Sequence, residues 1–387
     1  MAPLGNPGTG GALEGIRVLQ AGMIAVGPYA GSLLGTLGAD VIRLHTPLDY
    51  TTVGEPTRNG KGLMFYAINF NQRNILLDLR NEEHKAIALK LAERADVFIE
   101  NYRLGVMDRV GLGYEALAHI NPRIVYCSMP PYGTRGPLSE RGAADPYMQA
   151  FTGFASTQGV EGSQGEAFRS YGILDVAAAV LAAQGIVLAL REREISGRGQ
   201  RVVFSLMQTA LNVQETRFAE YLATGQAPTP HGSAASYLVP SQAFHCQDGD
   251  YIFVSARTDE EWLHLAQALG RPDLAQDPRF SSNHARLEKR AELIPILEEL
   301  FEAEPSLSWW LRLRRFRVPC ALRSSIKEHM TSEYLRRKDL VLETDSPVGK
   351  LKFAATPIVF SETKAVKPTY IHDVDADRLE ILAELDH

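Results

Sequence analysis

Short apolar runs alternate with helix-like segments over the first two hundred residues, and this rhythm restricts the folds that the chain can adopt. Strand-like runs lie at 16–21, 40–44, 74–79, 96–100, 123–128 and 200–204. Helix-like segments follow the Gly27-Pro28 break and also lie at 82–94, 113–119 and 175–193. Near-continuous apolar strands joined by helices are typical of a parallel sheet covered on both faces. The pattern therefore predicts an α/β fold with a doubly wound sheet and right-handed crossovers.

The composition changes at residues 224–233, where Gly, Pro, Thr and Ser follow a helix predicted at 206–222. Such residues favour turns and loops, so this stretch predicts a linker. After it, a strand is predicted at 251–254 and helices at 260–269, 283–302 and 307–316. A turn and a pair of strands are predicted within 334–354. The second part of the chain is thus expected to form a smaller unit.

Charge and cysteine content exclude several classes of protein. The chain has 40 Lys and Arg against 46 Asp and Glu, which is the opposite of the excess in a general nucleic-acid binder. Cys127, Cys246 and Cys320 are too few and too scattered for a disulfide framework, so a reducing compartment is expected. The ten histidines are dispersed, and the chain lacks HExxH, CxxC and phosphate-loop motifs, so we expect no metal site.

The sequence gives no sign of a membrane span or a targeting segment. The most apolar run, 176–190, is interrupted by Gln184 and Gly185 and is shorter than the ~18 residues that a span needs. It predicts a buried helix. Residues 1–11 are rich in Gly and Pro and lack the charged and apolar parts of a signal peptide. We therefore expect a soluble cytoplasmic protein.

Asp175 is the candidate for chemistry, because it stands where a loop enters the apolar helix predicted at 175–193. A carboxylate there can accept backbone N–H bonds and is stabilised by the helix dipole. It is then a helix cap. The other interpretation is a nucleophilic carboxylate at the edge of a large domain. The residues alone leave both open.

Several arginines lie near predicted strand ends, namely Arg73, Arg80, Arg103 and Arg109. They are either a solvated rim or a set of phosphate ligands, for which the guanidinium group is well shaped. Ligands of parallel sheets bind at the carboxyl ends of the strands. The Asn101-Tyr102-Arg103 triplet directly follows the strand at 96–100 and has that position.

Several ordered segments resemble the class III CoA-transferases, of the formyl-CoA transferase and crotonobetainyl-CoA transferase type. The first is LEGIRVLQAGMIAVGPYAGSLLGTLGADVIRLHTP, and the second runs from NFNQRNILLDLRN to NPRIVYCS. The third is LDVAAAVLAAQGIVLALREREISGRGQRVVFSLMQTAL, and DGDYIFVSARTDEEWLHLAQALGRPDLAQDPRF and RVPCALRS follow downstream. The resemblance spans about the whole chain.

The resemblance implies a doubly wound, Rossmann-like large domain, an inserted smaller α+β domain, and two chains interlocked in a dimer. The expected boundaries are 1–205 for the first part of the large domain and 206–232 for a helix and linker. The small domain is expected at 233–325, a second linker at 326–350, and the return to the large domain at 351–387. A homodimer is expected, and a heteromer with a similar chain is the alternative.

The resemblance also implies the site residues. Asp175, four residues before Ala179, takes the position of the catalytic aspartate. CoA contacts are implied around these residues: Ala25, Val26, Thr46, Leu77, Arg80, Asn101, Tyr102, Arg103, Arg109, Ala143 and Asp145. No metal is implied. Acyl-CoA and carboxylic acid are the implied substrates, and an aspartyl anhydride and an aspartyl-CoA thioester are the implied intermediates.

Four departures from the family pattern concern the acyl end of the implied site. Thr46 stands where some members have arginine, and His45 replaces a usual glutamate. Met23 and Ala25 lie where formyl-CoA transferase has His and Gln. The related 2-methylacyl-CoA racemases need a His where this chain has Ala144, and a single carboxylate cannot supply two-base proton exchange. A transferase is therefore favoured over a racemase, and a catalytically inactive subunit of a heteromeric transferase stays an alternative.

Overall fold

The computed structural model describes residues 10–47, 56–59, 61–167, 172–337, 340–366 and 371–386. The chain divides into two compact units. The larger unit comprises Met1–Phe154, Ala167–Gln226 and Glu333–His387, and the smaller unit comprises Ala155–Glu166 and Ala227–Ser332.

Strands and helices alternate in the first half of the chain, as its apolar pattern predicts. The strands of the described residues are β1 Arg17–Gln20, β2 Asp40–His45, β3 Thr57–Arg58, β4 Lys61–Gly62, β5 Arg73–Leu76, β6 Val97–Glu100, β7 Val125–Ser128, β8 Arg201–Val203, β9 Ser241–His245, β10 Tyr251–Ser255, β11 Cys320–Leu322, β12 Val341–Thr344 and β13 Leu351–Ala354. The helices are α1 Val26–Thr36, α2 Leu63–Ala67, α3 Glu82–Glu93, α4 Val106–Arg109, α5 Tyr114–Ile120, α6 Asp145–Phe151, α7 Ile173–Ser196, α8 Leu206–Val213, α9 Glu215–Thr224, α10 Asp259–Ala268, α11 Pro272–Gln276, α12 Asn283–Glu288, α13 Arg290–Glu302, α14 Ser306–Arg315, α15 Ile326–Thr331, α16 Glu333–Arg337 and α17 Arg378–Ala383.

A six-stranded parallel sheet in the order β5-β2-β1-β6-β7-β8 forms the centre of the larger unit. Val18 of β1 lies opposite Val41 of β2 on one side and Val97 of β6 on the other. The chain therefore builds outward from β1 in both directions, and the crevice between the β1 and β6 connections is where such sheets bind ligands. The predicted α/β fold with a parallel sheet is confirmed.

Both faces of this sheet are covered, because consecutive strand residues point to opposite sides. Val18 belongs to one apolar cluster, which includes residues of α1 and α7. The next residue, Leu19, belongs to another, which includes residues of α3, α5 and α17. Both residues are fully buried. Since neither face of the sheet is in contact with solvent, apolar residues can follow one another along a strand. The helices carry the solvent-exposed polar residues.

Helix α7 is longer than the sequence predicts, with 24 residues that end at Gly197 in the left-handed conformation. It packs on α1 through a buried stripe that includes Ala178, Ala182 and Ile186. By length and apolar composition alone it could span a membrane, a test that the core helices of soluble proteins also pass, and 39% of its apolar window is buried. The apolar run at 176–190 is therefore only the middle part of a longer helix.

The segment after β13 closes the outer edge of the sheet at β5. The Asn74 N–H donates to Asp377 Oδ2 at 2.7 Å, and the Leu76 N–H donates to Asp375 Oδ1 at 2.7 Å. These carboxylates take the place of a seventh strand, because an edge strand otherwise leaves its N–H groups unpaired.

The smaller unit has its own core. Strands β9, β10 and β11 form an antiparallel sheet in the order β11-β10-β9. Trp262, Phe301 and Trp309 are buried in the apolar cluster beside it. The single helix predicted at 283–302 is two helices, because the backbone leaves the helical path at Lys289. Likewise, 206–222 is two helices that meet at Gln214.

Candidate active site

A cavity of about 430 Å³ opens in the larger unit at the carboxyl ends of β1, β6, β7 and β8. The described residues that line it are Met23, Ile24, Ala25, Val26, Asn101, Tyr102, Arg103, Met129, Pro131, Gly142, Ala143, Ala144, Tyr147, Asp175, Ala178, Phe204, Ser205 and Leu206. The order of the strands explains this position, since the loops after β1 and β6 diverge there. The volume is within the range of small-molecule sites.

Asp175 lines this cavity from the first turn of α7, three residues after the helix cap at Gly172. It is not the cap. The Leu174 N–H and the Asp175 N–H donate to Asp145 Oδ2 at 2.7 Å and 3.2 Å. Asp145 therefore satisfies the first turn of α7, and the helix-cap interpretation of Asp175 is wrong. Within the described part of the chain, no hydrogen bond donor contacts the Asp175 carboxylate.

The surroundings of Asp175 favour its protonated form. Burial, together with the nearby negative charge of Asp145, raises the pKa of its carboxyl group to about 7. The expectation that helix amides keep this carboxylate ionised is wrong, because two of those amides already donate to Asp145. A desolvated carboxylate with a pKa near neutrality is typical of functional sites rather than of helix caps.

Asp145, the first residue of α6, is buried beneath the cavity and does not line it. Besides the two α7 amides, its carboxylate accepts a short hydrogen bond from Gln149 Nε2. The sequence resemblance implies a CoA contact around Asp145, and the structure instead places it behind Asp175 as a support. Ala144, which precedes it, does line the cavity and offers no proton-exchanging group there.

The turn after β1 forms one wall and contains Ala25 and Val26, two of the implied CoA contacts. Asn101 holds this turn: its Oδ1 accepts the Met23 N–H at 2.6 Å, and its Nδ2 donates to the Met23 carbonyl at 2.8 Å. Asn101 is also among the implied CoA contacts. Its amide already serves the neighbouring backbone, so its contribution to the cavity is the shape of this turn.

Tyr102, Arg103 and Ala143 line the same cavity. The resemblance implies that these three residues belong to one site. The Tyr102 N–H donates to Glu100 Oε2 at 2.9 Å. Burial raises the pKa of Glu100 to about 7, which this hydrogen bond partly opposes. The Arg103 guanidinium lies against Gly142, where any Cβ would collide with it.

The other implied contacts lie outside the lining of this cavity. Thr46 and Leu77 follow β2 and β5 at the same carboxyl edge of the sheet, and Leu77 is fully buried. Arg80 is exposed, with its Nη2 2.8 Å from Asp78 Oδ2. Arg109 ends α4.

Arg73 is not available to a phosphate group. Its guanidinium lies 2.8 Å from Asp40 Oδ2 and 2.5 Å from Glu384 Oε1, and Arg17 bonds to both of the same carboxylates. The interpretation of Arg73 as a phosphate ligand is therefore wrong. It joins α17 to the sheet.

Sequence reasoning missed Tyr147 and the Phe204-Ser205-Leu206 triplet, all of which line the cavity. The triplet directly follows β8, so the rule that ligands bind at carboxyl strand ends could have found it. Tyr147 carries no such signal. No group of three or more His, Cys, Asp or Glu side chains suited to a metal ion occurs among the described residues.

The fold and the cavity define a doubly wound α/β enzyme with a carboxylate in its ligand crevice. The model of CoA-transferase family III matches residues 13–370. The chain is 30% identical over 357 residues to succinyl-CoA:glutarate CoA-transferase of Mus musculus, which covers 91% of this chain and 81% of that protein. It is 32% identical over 374 residues to formyl-CoA:oxalate CoA-transferase of Streptomyces coelicolor, which covers 92% and 90%.

A solved structure agrees with these sequence matches. The CAIB/BAIF family protein from Brucella suis superimposes with a TM-score of 0.87 at 29% identity, over 99% of this chain and 100% of that one. The chain belongs to CoA-transferase family III and is a CoA-transferase, as the resemblance predicts.

Proposed function

We propose that Asp175 is the nucleophile with which this chain moves CoA from an acyl-CoA thioester to a free carboxylic acid. The observation that carries the proposal is the position of its carboxylate: it lines the cavity in the ligand crevice, and burial raises its pKa to about 7. A carboxylate that is poorly solvated in its ionised form is a stronger nucleophile than one in water.

The reaction proceeds in four balanced steps. An Asp175 oxygen attacks the thioester carbonyl, the C–S bond breaks, and a mixed anhydride and CoA thiolate form. The thiolate attacks the aspartyl carbonyl, which releases the donor acid and leaves an aspartyl-CoA thioester. The acceptor carboxylate attacks that thioester and forms a second anhydride with release of thiolate. The thiolate then attacks the acceptor carbonyl, which gives the new acyl-CoA and restores Asp175.

The protein has little chemical driving force to supply, because one thioester replaces another. Its contribution is to hold the thiolate near the anhydride and to keep water away. The apolar lining from Met129, Ala178 and Leu206 supports the exclusion of water. Asp145 contributes by fixing the first turn of α7 through its hydrogen bond to the Leu174 N–H. Its negative charge also raises the pKa of Asp175, which disfavours the ionised carboxylate when no substrate is bound.

The coenzyme is proposed to enter the cavity with its thiol end and to lie along the carboxyl edge of the sheet. Ala25, Val26, Tyr102, Arg103 and Ala143 would surround the thiol end, with Asn101 shaping the β1 turn. Thr46, Leu77, Arg80 and Arg109 would follow along the edge toward the nucleotide. The exposed Arg80, which is paired with the half-buried Asp78, is suited to exchange that partner for a phosphate.

A homodimer is proposed from the apolar outer face of α7. Val180, Leu188 and Ile195 are 51%, 62% and 67% exposed, although α7 is the central helix of the larger unit. An apolar helix face of this kind favours burial against another chain. Interlocked chains and the expected domain boundaries, with a small domain at 233–325, belong to the same proposal. So does a reducing, cytoplasmic location, which the three free cysteines support.

Mass spectrometry of the Asp175 peptide tests the function. The protein is incubated with a panel of acyl-CoA donors, quenched with acid and digested. We expect a CoA or acyl adduct on this peptide with at least one donor. Asp175→Asn should show no adduct, and Asp386→Asn, which changes an exposed aspartate after α17, should load as the wild type does. An adduct on another residue, or full transfer by Asp175→Asn, would refute the proposal. Adduct formation only after addition of a similar chain would indicate the heteromeric alternative.

A further inference from the structure

The turn that carries Ile24 has a backbone conformation that its sequence disfavours. Ile24 has φ of 60°, in the left-handed region. A residue branched at Cβ is a rare occupant of that region, because its side chain crowds the following carbonyl. The side chain is 62% exposed and lines the cavity that also holds Asp175. Backbone strain of this type persists only where the surrounding structure enforces it, and it concentrates at functional sites.

The surrounding contacts show what enforces it. Asn101 binds both the N–H and the carbonyl of Met23, the residue before Ile24. A Cβ on Gly22 would lie 2.5 Å from Asn101 Oδ1 and 2.8 Å from Gln20 Nε2. The β1 turn is therefore packed so closely on Asn101 that Ile24 has little freedom to relax. The fixed backbone thereby places its side chain on the cavity wall.

The cavity is small for the two groups that the proposed reaction brings into it. The cavity has about 430 Å³ and must take the thiol end of the coenzyme together with the acyl group. Ala25, Ala143, Ala144 and Ala178 add only short side chains to the wall, whereas Ile24 adds a branched one. A longer acyl group that extends toward the β1 turn therefore meets Ile24.

We propose that Ile24 is a specificity-determining residue: the strained turn holds its side chain in the cavity, where it restricts the acyl group to short chains. This inference rests on the proposed function. A flexible wall would adapt to a larger acyl group and discriminate poorly. The strained conformation of the turn lowers the stability of the fold while it provides selectivity. Replacement of Ile24 by glycine should therefore raise stability and lower selectivity together.

Identity exchange measures acyl size without knowledge of the natural acceptor. Radiolabelled acetate is exchanged into acetyl-CoA, and radiolabelled hexanoate into hexanoyl-CoA. We expect the wild type to favour acetyl exchange by about tenfold or more, a discrimination that a hydrophobic wall can provide. Ile24→Gly and Ile24→Ala should each lower that preference by about tenfold. Arg317→Gly is the matched control, since Arg317 also has a left-handed φ, of 59°, but belongs to the smaller unit.

Thermal unfolding gives the second readout. Ile24→Gly should raise Tm by about 2–4 °C, because glycine adopts this conformation without strain. Ile24→Ala keeps an unfavourable Cβ and should not raise it. An acetyl-to-hexanoyl ratio that stays within about twofold of wild type in Ile24→Gly would overturn the inference. So would an equal loss of both exchanges, or a fall in Tm for that variant. If the wild type exchanges neither acid and Asp175 never loads, the proposed function fails as well.

Discussion

Asp175→Asn should remove transfer and yet stabilise the folded chain, and this gain should depend on pH. The carboxyl group has a pKa of about 7 in the folded chain against an ordinary value of 3.8. The folded state therefore binds this proton more tightly than the unfolded state does. Wild-type stability consequently falls as the pH rises from about 4 to about 7 and is constant above that range. An asparagine has no such proton to lose.

The size of the effect follows from the two pKa values. The whole shift corresponds to about 4 kcal/mol, since one pH unit is worth about 1.4 kcal/mol. Between about pH 5 and about pH 8, the stability of Asp175→Asn relative to wild type should grow by about 1–3 kcal/mol, with the lower figure allowing for partial solvent screening.

Urea unfolding at a fixed protein concentration measures this difference, because a dimer would make stability depend on concentration. Asp386→Asn should show no comparable change with pH, since Asp386 is exposed. A stability gap that is constant between the two pH values would refute the reasoning. A gap that shrinks as the pH rises would show that Asp175 is stabilised in its ionised form.

Three further predictions concern the same site. Transfer activity, as kcat/KM, should rise with pH to a plateau above about pH 7, because the ionised form of Asp175 attacks; a flat profile would contradict this. Asp145→Ala should lower the unfolding free energy by about 1–3 kcal/mol, since two α7 amides lose their acceptor. It should also move the midpoint of the pH–rate profile to lower pH, and an unmoved midpoint would show that Asp145 does not act on Asp175. Gly142→Ala should displace Arg103 and weaken CoA binding by about tenfold in calorimetry, at a cost of about 1.4 kcal/mol. Arg141→Ala, at the exposed neighbour, should leave the affinity unchanged, and equal affinities for Gly142→Ala and wild type would place the coenzyme elsewhere.

The parallel sheet could be predicted because the burial of its strands on both faces is visible as short apolar runs in the sequence. Val18 and Leu19 are both apolar and cover opposite faces, so a short apolar run already indicates a two-sided sheet. The carboxyl-end rule then places Asn101, Tyr102 and Arg103 at a ligand site, whereas Ala25 is implied only by the family resemblance. These inferences need only local pattern and the geometry of parallel strands.

The role of Asp145 could not be predicted, because it depends on a contact between two helices that are 30 residues apart at the bonded positions. The sequence offers only Asp175 as a cap, and the packing of α6 against α7 shows that Asp145 binds the α7 amides instead. The same limit applies to Arg73. Its position near a strand end suited a phosphate, but α17 returns from the far end of the chain to pair with it.

The strained turn at Ile24 was equally invisible, since isoleucine is among the residues least expected at a positive φ. A glycine at position 24 would have indicated such a turn, whereas the break that the sequence indicates in this region is Gly27-Pro28. The side chain of Asn101, 77 residues further on, supplies the missing constraint.

Transfer of an isotopic oxygen label tests most directly whether the Asp175 carboxylate takes part in covalent chemistry. A carboxylic acid labelled with heavy oxygen in both carboxylate positions is given as the acceptor, with unlabelled acetyl-CoA as the donor, in a single turnover. The proposed anhydride leaves one labelled oxygen on Asp175, which the mass of its peptide reveals. A new acyl-CoA formed with no label in that peptide would contradict the account.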